Sequence, residues 1–165
     1  MILGLSLDTF TRVHVVISLV GIVAGFVAVG AMIRSQRADG ATTLFLNATL
    51  LTSITGFMFP SSGSLTPAQI LGYISIAVLA VTYPALYLFH LRGAWRWIYA
   101  AGAVLALYFN TFVAIVQAFQ KIPFLSPLAP TQSEPPFQIA QGALLVIMIA
   151  LGYLAVKKFR PEQIA

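Results

Sequence analysis

The chain has 165 residues, of which 59% are hydrophobic and 8% are charged, whereas an average soluble domain is about 25% charged. A soluble fold of this size could not hide so much apolar surface, because small domains bury only about two-thirds of theirs. The net charge of +5 does not indicate nucleic-acid binding, since the basic residues stand singly at the ends of apolar runs. The lack of cysteine excludes disulfides and thiolate metal or iron–sulfur sites.

Five apolar runs are each long enough to cross a bilayer, which requires about 20 mostly apolar residues. The sequence therefore predicts one all-α domain over residues 1–165, an integral membrane bundle of five transmembrane helices. In chain order the predicted helices cover residues 13–33, 41–59, 68–89, 95–119 and 137–156.

Residues at the ends of these runs predict how the helices begin and turn. Asp8 is placed to cap the first helix and to pair with Arg12 four residues on, and Gly40 to close the polar turn that follows that helix. Thr66–Gln69 has the pattern of a capping box with proline at the first helical position. Pro84 removes a backbone donor and should kink the third helix.

Residues 121–136 form the longest connection and are rich in proline, which fixes φ and removes a donor. We interpret this segment as an ordered, extended loop that lies across the outer face of the bundle. A plain linker is the alternative, since long loops without secondary structure are usually either functional or disordered.

The distribution of basic residues predicts the orientation in the membrane, because cytoplasmic connections carry an excess of Lys and Arg. One set of alternate connections contains only Arg12 and Lys121. The other set contains Arg34, Arg37, Arg92, Arg96, Lys157, Lys158 and Arg160. The sequence thus predicts a cytoplasmic C-terminus and an N-terminus outside, with Trp95, Trp97 and Tyr99 as an interfacial belt on the cytoplasmic side.

Small and polar side chains predict which helix faces point inward, because contacts between membrane helices favour such residues. One face of the first helix carries His14, Ser18, Gly21, Gly25 and Ala28. Depth and topology together place the polar side chains in the outer half of the bundle. The candidate ligand-binding residues are His14, Thr55, Asn110, Gln117, Gln138 and Gln141. Hydrogen bonding between helices is the alternative role for all of them.

The two histidines are the only candidate metal or haem ligands. His14 could ligate haem or metal, relay a proton or bond to a quinone carbonyl, and its alternative is a hydrogen bond to a neighbouring helix. His90 is predicted to end the third helix at the opposite side, so the two cannot bind one haem iron. Every carboxylate stands in a loop or terminus, which argues against hydrolytic and ion-coupled chemistry. They are Asp8, Asp39, Glu134 and Glu162.

The segments Phe89–Trp97 and Leu128–Phe137 resemble small uncharacterised inner-membrane proteins of bacteria. The likeness covers most of the chain, including residues 110–125. The resemblance implies a multi-pass protein of the bacterial cytoplasmic (inner) membrane, and it implies no activity and no functional residue.

These observations favour a non-enzymatic protein, either an accessory subunit or a bundle that binds a small ligand in its outer half. A membrane redox component that binds haem or quinone through a histidine is a second hypothesis. A transporter or channel subunit is a third, with the Gly21–Gly25 face joining chains. The expected partners are the lipid bilayer, further copies of the chain or a larger membrane complex, and no nucleic acid.

Overall fold

The computed structural model describes residues 1–60 and 65–161, and Glu162 lies outside them. The fold is all-α, as predicted, with five long helices. They are α1 (Leu7–Ile33), α2 (Asp39–Gly56), α3 (Pro67–Tyr83), α4 (Trp95–Lys121) and α5 (Pro135–Lys158). A π-helix, Pro84–Leu88, continues α3, and a single 3₁₀ turn, Ser126–Leu128, interrupts the connection before α5.

Within the described residues, four helices are long and apolar enough to cross a membrane. These are α1, α3 with its π-helical continuation, α4 and α5. This is consistent with a multi-pass membrane protein. Helix α2 has 18 residues, but it is not apolar enough to be counted with them.

Successive helices run antiparallel, and α4 contacts each of the other four. The face of α4 that meets its neighbours is made of small and aliphatic residues, and Ala100, Ala103, Ala106 and Leu107 are fully buried. Small side chains let helix backbones approach closely, which is the main source of packing energy between helices in lipid. This explains why α4 forms the centre of the bundle.

Helices α1 and α2 pack through the Gly21–Gly25 pair. A Cβ added to Gly21 would lie 3.1 Å from the Cβ of Ala48, and one added to Gly25 would lie 2.9 Å from the ring of Phe45. Both glycines are buried inside the chain. The hypothesis that this face joins separate chains is therefore wrong, because α2 already occupies it.

The beginnings of α1 and α2 differ from the predicted ones. Helix α1 starts six residues early because the side chain of Ser6, and not Asp8, caps it by accepting a bond from the Thr9 amide. Asp8 lies in the first turn and forms the predicted ion pair with Arg12 at 2.9 Å. Helix α2 starts at Asp39, so Gly40 lies within the helix and does not close the turn.

The two ends of α3 are determined by residues that the sequence analysis identified. Thr66 and Gln69 form the predicted capping box, in which each side chain accepts from the other residue's backbone amide. Pro84 begins a π-helix, in which the Phe89 amide donates to the Pro84 carbonyl at 2.8 Å. The missing proline N–H thus changes the hydrogen-bond register.

The connection between α4 and α5 is shorter than predicted, because Pro135 and Pro136 belong to the first turn of α5, where a missing N–H costs nothing. Glu134 accepts bonds from the amide and hydroxyl of Thr131 and from the amide of Ser133. Desolvation raises the pKa of Glu134, but these hydrogen bonds outweigh it and hold the pKa below its usual range.

The two ends of the bundle differ in charge. We call the end where α1 begins the N-terminal end, and the end where α1 finishes the basic end. At the basic end Arg96 donates to the Phe159 carbonyl, and the Arg160 amide donates to Ser35.

Tyr99 is buried against Phe159 and donates to Thr42. It is therefore a core residue, and its assignment to an interfacial belt was wrong.

Candidate functional site

A cavity of about 460 Å³ lies at the N-terminal end, between the first halves of α1 and α3 and the last halves of α2 and α4. Its volume lies within the range of small-molecule sites, about 300–1,000 Å³. Apolar side chains form most of the wall: Val15, Leu19, Phe57, Phe59, Leu71, Phe109 and Val113. The polar side chains that line it are Thr11, His14, Ser18, Thr52, Ser53, Thr66, Gln69, Ser75, Asn110, Gln117 and Lys121.

His14 is held in the wall by Thr55, which itself stands behind the histidine and does not line the cavity. The ring Nδ1 of His14 lies 2.8 Å from the Thr55 hydroxyl. The Phe59 ring packs edge-on against the imidazole, with centroids 5.1 Å apart. Thr55, in the last turn of α2, and Phe59, just beyond that helix, thus fix the orientation of a ring that α1 presents to the cavity.

Asn110 and Gln117 reach the cavity from one face of α4. The Asn110 amide nitrogen donates to the buried Thr49 hydroxyl at 2.8 Å, which orients the side chain. Gln117 lies two turns further along the helix and has no hydrogen-bond partner among the described residues. Lys121 follows one turn later and is exposed at the rim. Spacings of seven and four residues align all three on α4.

Other polar groups near the cavity already satisfy one another. Ser18 donates to the carbonyl of His14 and lies 3.2 Å from the Thr52 hydroxyl. Ser53 donates to the Thr49 carbonyl. A hydroxyl that already donates its proton to a carbonyl of the preceding turn cannot donate that proton to a ligand.

Sequence reasoning did not place Ser75 or Lys121 in this cavity. Ser75 is buried on α3, and its hydroxyl has no partner among the described residues. A lone serine in an apolar run gives a weak signal, since most such hydroxyls bond their own helix. Lys121 was counted only as a topology signal. The spacing of four residues between Gln117 and Lys121 could have shown that both lie on the same face of α4.

Gln138 and Gln141 do not line the cavity, although the sequence grouped them with the candidate site. Helix α5 lies on the other side of α4, so Gln141 donates to the Phe112 carbonyl between those two helices. Its side-chain oxygen is buried and has no partner in the described part of the chain. Gln138 is exposed and donates to the Ser133 carbonyl just before α5. Both residues therefore stabilise the α4–α5 contact and the start of α5.

His90 lies at the basic end, exposed and with a positive φ of 48° in the turn after the π-helix. His14 lies at the N-terminal end, so the two cannot share a metal or a haem iron. Across the residues that the structure describes, no group of three or more His, Cys, Asp and Glu side chains comes together.

The charges of the cavity restrict what it can bind. Lys121 is the one charged residue among its described lining residues, and no carboxylate accompanies it. The arrangement thus offers apolar contact, several hydrogen-bonding groups and a cation at the rim. It suits a neutral or electron-rich molecule better than a cation.

No protein-family model, curated protein or solved structure matches this chain.

Proposed function

We propose that this chain is a multi-pass protein of the bacterial cytoplasmic membrane that binds a small, largely apolar molecule in the cavity at its N-terminal end. The observation that carries the proposal is an apolar cavity lined by polar groups from three helices whose hydrogen-bonding capacity the described residues leave open. His14 contributes from α1, Ser75 from α3, and Asn110 and Gln117 from α4.

Hydrogen bonding between helices accounts for only part of this arrangement. It explains why Asn110 bonds Thr49 and why His14 bonds Thr55, each contact being worth about 0.6 kcal/mol in membrane proteins. It does not explain Gln117, which lines a cavity without a partner among the described residues. The Gln117 side chain is half-buried, so its amide is accessible from the cavity and can bond a ligand there.

The proposal predicts that a bulky residue at Ala114, which lines the cavity on α4, expels the ligand. Native mass spectrometry of the protein released from nanodiscs should show an extra mass on the wild-type chain. Ala114→Phe should lose that mass, because the ring occupies the ligand's volume. The value of the mass also tests the redox hypothesis, since haem and quinones have characteristic masses.

Ala143→Phe on α5 is the matched control, because Ala143 is exposed and lies outside the cavity. It should retain the bound mass. A bare wild-type chain, or an Ala114→Phe protein that retains the ligand, would contradict the proposed function.

We further propose that α2 also crosses the membrane, which gives five spans with the N-terminal end outside. Helix α2 runs beside α1 from Thr55 near His14 to Phe45 near Gly25. Its 18 residues would extend about 27 Å, close to the thickness of the hydrocarbon core. Its lower hydropathy comes partly from polar residues that face other helices, such as the buried Thr49.

This topology predicts the accessibility of single cysteines, which can be introduced cleanly because the chain has none. In spheroplasts, Leu65→Cys and Ser133→Cys should react with a membrane-impermeant maleimide, because both residues are exposed at the N-terminal end. Gln36→Cys should react only after permeabilisation. If Gln36→Cys and Leu65→Cys react alike, α2 does not cross. If the pattern is reversed, the orientation is wrong.

A further inference from the structure

The hydrogen bonds around Thr55 determine which ring nitrogen of His14 carries a proton. The Thr55 hydroxyl has one proton, and it donates to the Leu51 carbonyl at 2.6 Å, with the Thr52 carbonyl at 3.3 Å. That proton is therefore not available to His14. The short contact of 2.8 Å between Thr55 and Nδ1 requires a proton, and it must come from the ring.

In the neutral ring, a proton on Nδ1 leaves a lone pair on Nε2. His14 lines the cavity, and no described residue makes a hydrogen bond to its Nε2. The histidine therefore presents an acceptor. A ligand that pairs with it must bring a hydrogen-bond donor.

The other cavity residues narrow the type of donor. An ammonium group is disfavoured, since Lys121 is the charged residue of the described lining and no carboxylate there offsets a second cation. Phe59 packs against His14, and Phe57 and Phe109 line the same cavity. Flat rings pack well against such side chains. A neutral hydroxyl on an aromatic body fits both conditions.

We propose that the ligand is an aromatic hydroxyl compound, either a simple phenol or the hydroquinone head of a lipid-soluble quinol, whose hydroxyl donates to Nε2 of His14. This inference rests on the proposed function of the cavity and names its ligand class. Ser75, Asn110 and Gln117 line the same cavity, and we expect one of them to bond a second oxygen of the ligand.

The tautomer can be tested without a ligand. The chain has two histidines, so His90→Gln leaves His14 as the one source of a histidine signal. With ¹⁵N-labelled histidine in nanodiscs at about pH 8, where an ordinary imidazole is neutral, the spectrum should show a protonated Nδ1 and an unprotonated Nε2. A protonated Nε2 would overturn the inference.

The donor requirement can be tested with two probes of nearly equal shape, 2-naphthol and 2-methoxynaphthalene. We expect the wild type to bind the naphthol roughly three- to tenfold more tightly, the difference that one hydrogen bond makes. His14→Asn retains a donor toward Thr55 but removes the Nε2 acceptor, so it should lose this preference. His14→Gln places an amide oxygen near the Nε2 position and should recover part of it.

The ratio of the affinities for the two probes is compared between variants, so that the partitioning of the probes into lipid cancels. Equal binding of both probes to the wild type, with both lost in Ala114→Phe, would overturn the hydroxyl inference and leave the proposed function intact. Binding of neither probe would overturn the hydroxyl inference, and it would overturn the proposed function as well if the wild-type chain is also bare in native mass spectrometry.

A further experiment distinguishes a simple phenol from the hydroquinone head of a quinol. A short-chain ubiquinol analogue, kept reduced, should displace 2-naphthol if the head is a hydroquinone, and the oxidised quinone should displace it several-fold less well. Displacement by naphthol analogues alone identifies the simple phenol. Displacement by the quinone and the quinol with equal affinity contradicts a donor to His14.

Discussion

Replacing Gly25 by leucine is expected to destabilise the bundle by about 3 kcal/mol, the upper part of the usual range for overpacking a core. Its Cβ alone would stand 2.7 Å from a methyl carbon of Leu107 and 2.9 Å from the ring of Phe45. Both neighbours are fully buried, so neither can move aside into solvent. Helices α1, α2 and α4 meet at this point, so all three must separate.

Gly30→Leu is the matched control, because Gly30 lies in the same helix with open space around it. Thermal unfolding of both variants in one detergent, followed by loss of monodisperse protein, gives the comparison. Gly30→Leu should unfold near the wild-type temperature, and Gly25→Leu well below it. Equal midpoints would mean that the three helices do not meet at Gly25.

The sequence predicts the helices well because apolar runs of this length have few alternatives in a chain this apolar. The beginnings were harder to predict, since a helix extends beyond its apolar run wherever a polar residue caps it. Ser6 begins α1 before the first apolar stretch. The change at Pro84 was predicted as a kink, but a local pattern cannot distinguish a kink from a π-helix, because both accommodate a residue without an N–H.

The candidate cavity was predicted only in part. The sequence indicates how far along the bundle axis a residue lies, but it does not indicate which neighbouring helix its side chain faces. His14, Asn110 and Gln117 share both a depth and a cavity. Gln141 shares the depth, but α5 packs on the other side of α4 and turns it toward Phe112. The order of helices around α4 decides which polar residues meet, and this order arises from contacts between small residues far apart in the chain.

Thr55 illustrates what hydrogen-bond geometry adds to a list of candidates. From the sequence it is one more polar residue at the right depth. In the structure Thr55 does not line the cavity. Its hydroxyl already donates its proton to the Leu51 carbonyl, so it can only accept a hydrogen bond from His14. The neighbouring His14 thereby acquires a defined tautomer. Such an assignment depends on which carbonyl lies within reach, which a sequence pattern does not specify.

Gly102→Ala is expected to cost about 2 kcal/mol of stability, although alanine is the better helix former by about 1 kcal/mol. The new Cβ would overlap the hydroxyl oxygen of Thr82 and lie 3.4 Å from its Cβ. Thr82 is fully buried between α3 and α4, and its hydroxyl donates to the Val78 carbonyl at 2.8 Å. Rotating the threonine would break that bond and bring its methyl group toward the same space.

A second substitution tests whether this contact is the cause. Thr82→Ala removes both the hydroxyl and the methyl group, so Gly102→Ala should cost little in that background and recover its helix propensity. The coupling between the two positions, measured by thermal unfolding of the wild type, both single variants and the double variant, should therefore reach 1 to 3 kcal/mol, about the range for residues in contact. Gly142→Ala, in open space on α5, should leave the unfolding temperature unchanged or slightly raised. If the two substitutions simply add, α3 and α4 do not approach each other at Gly102, and the wall that α3 contributes to the cavity through Ser75 would need a different placement.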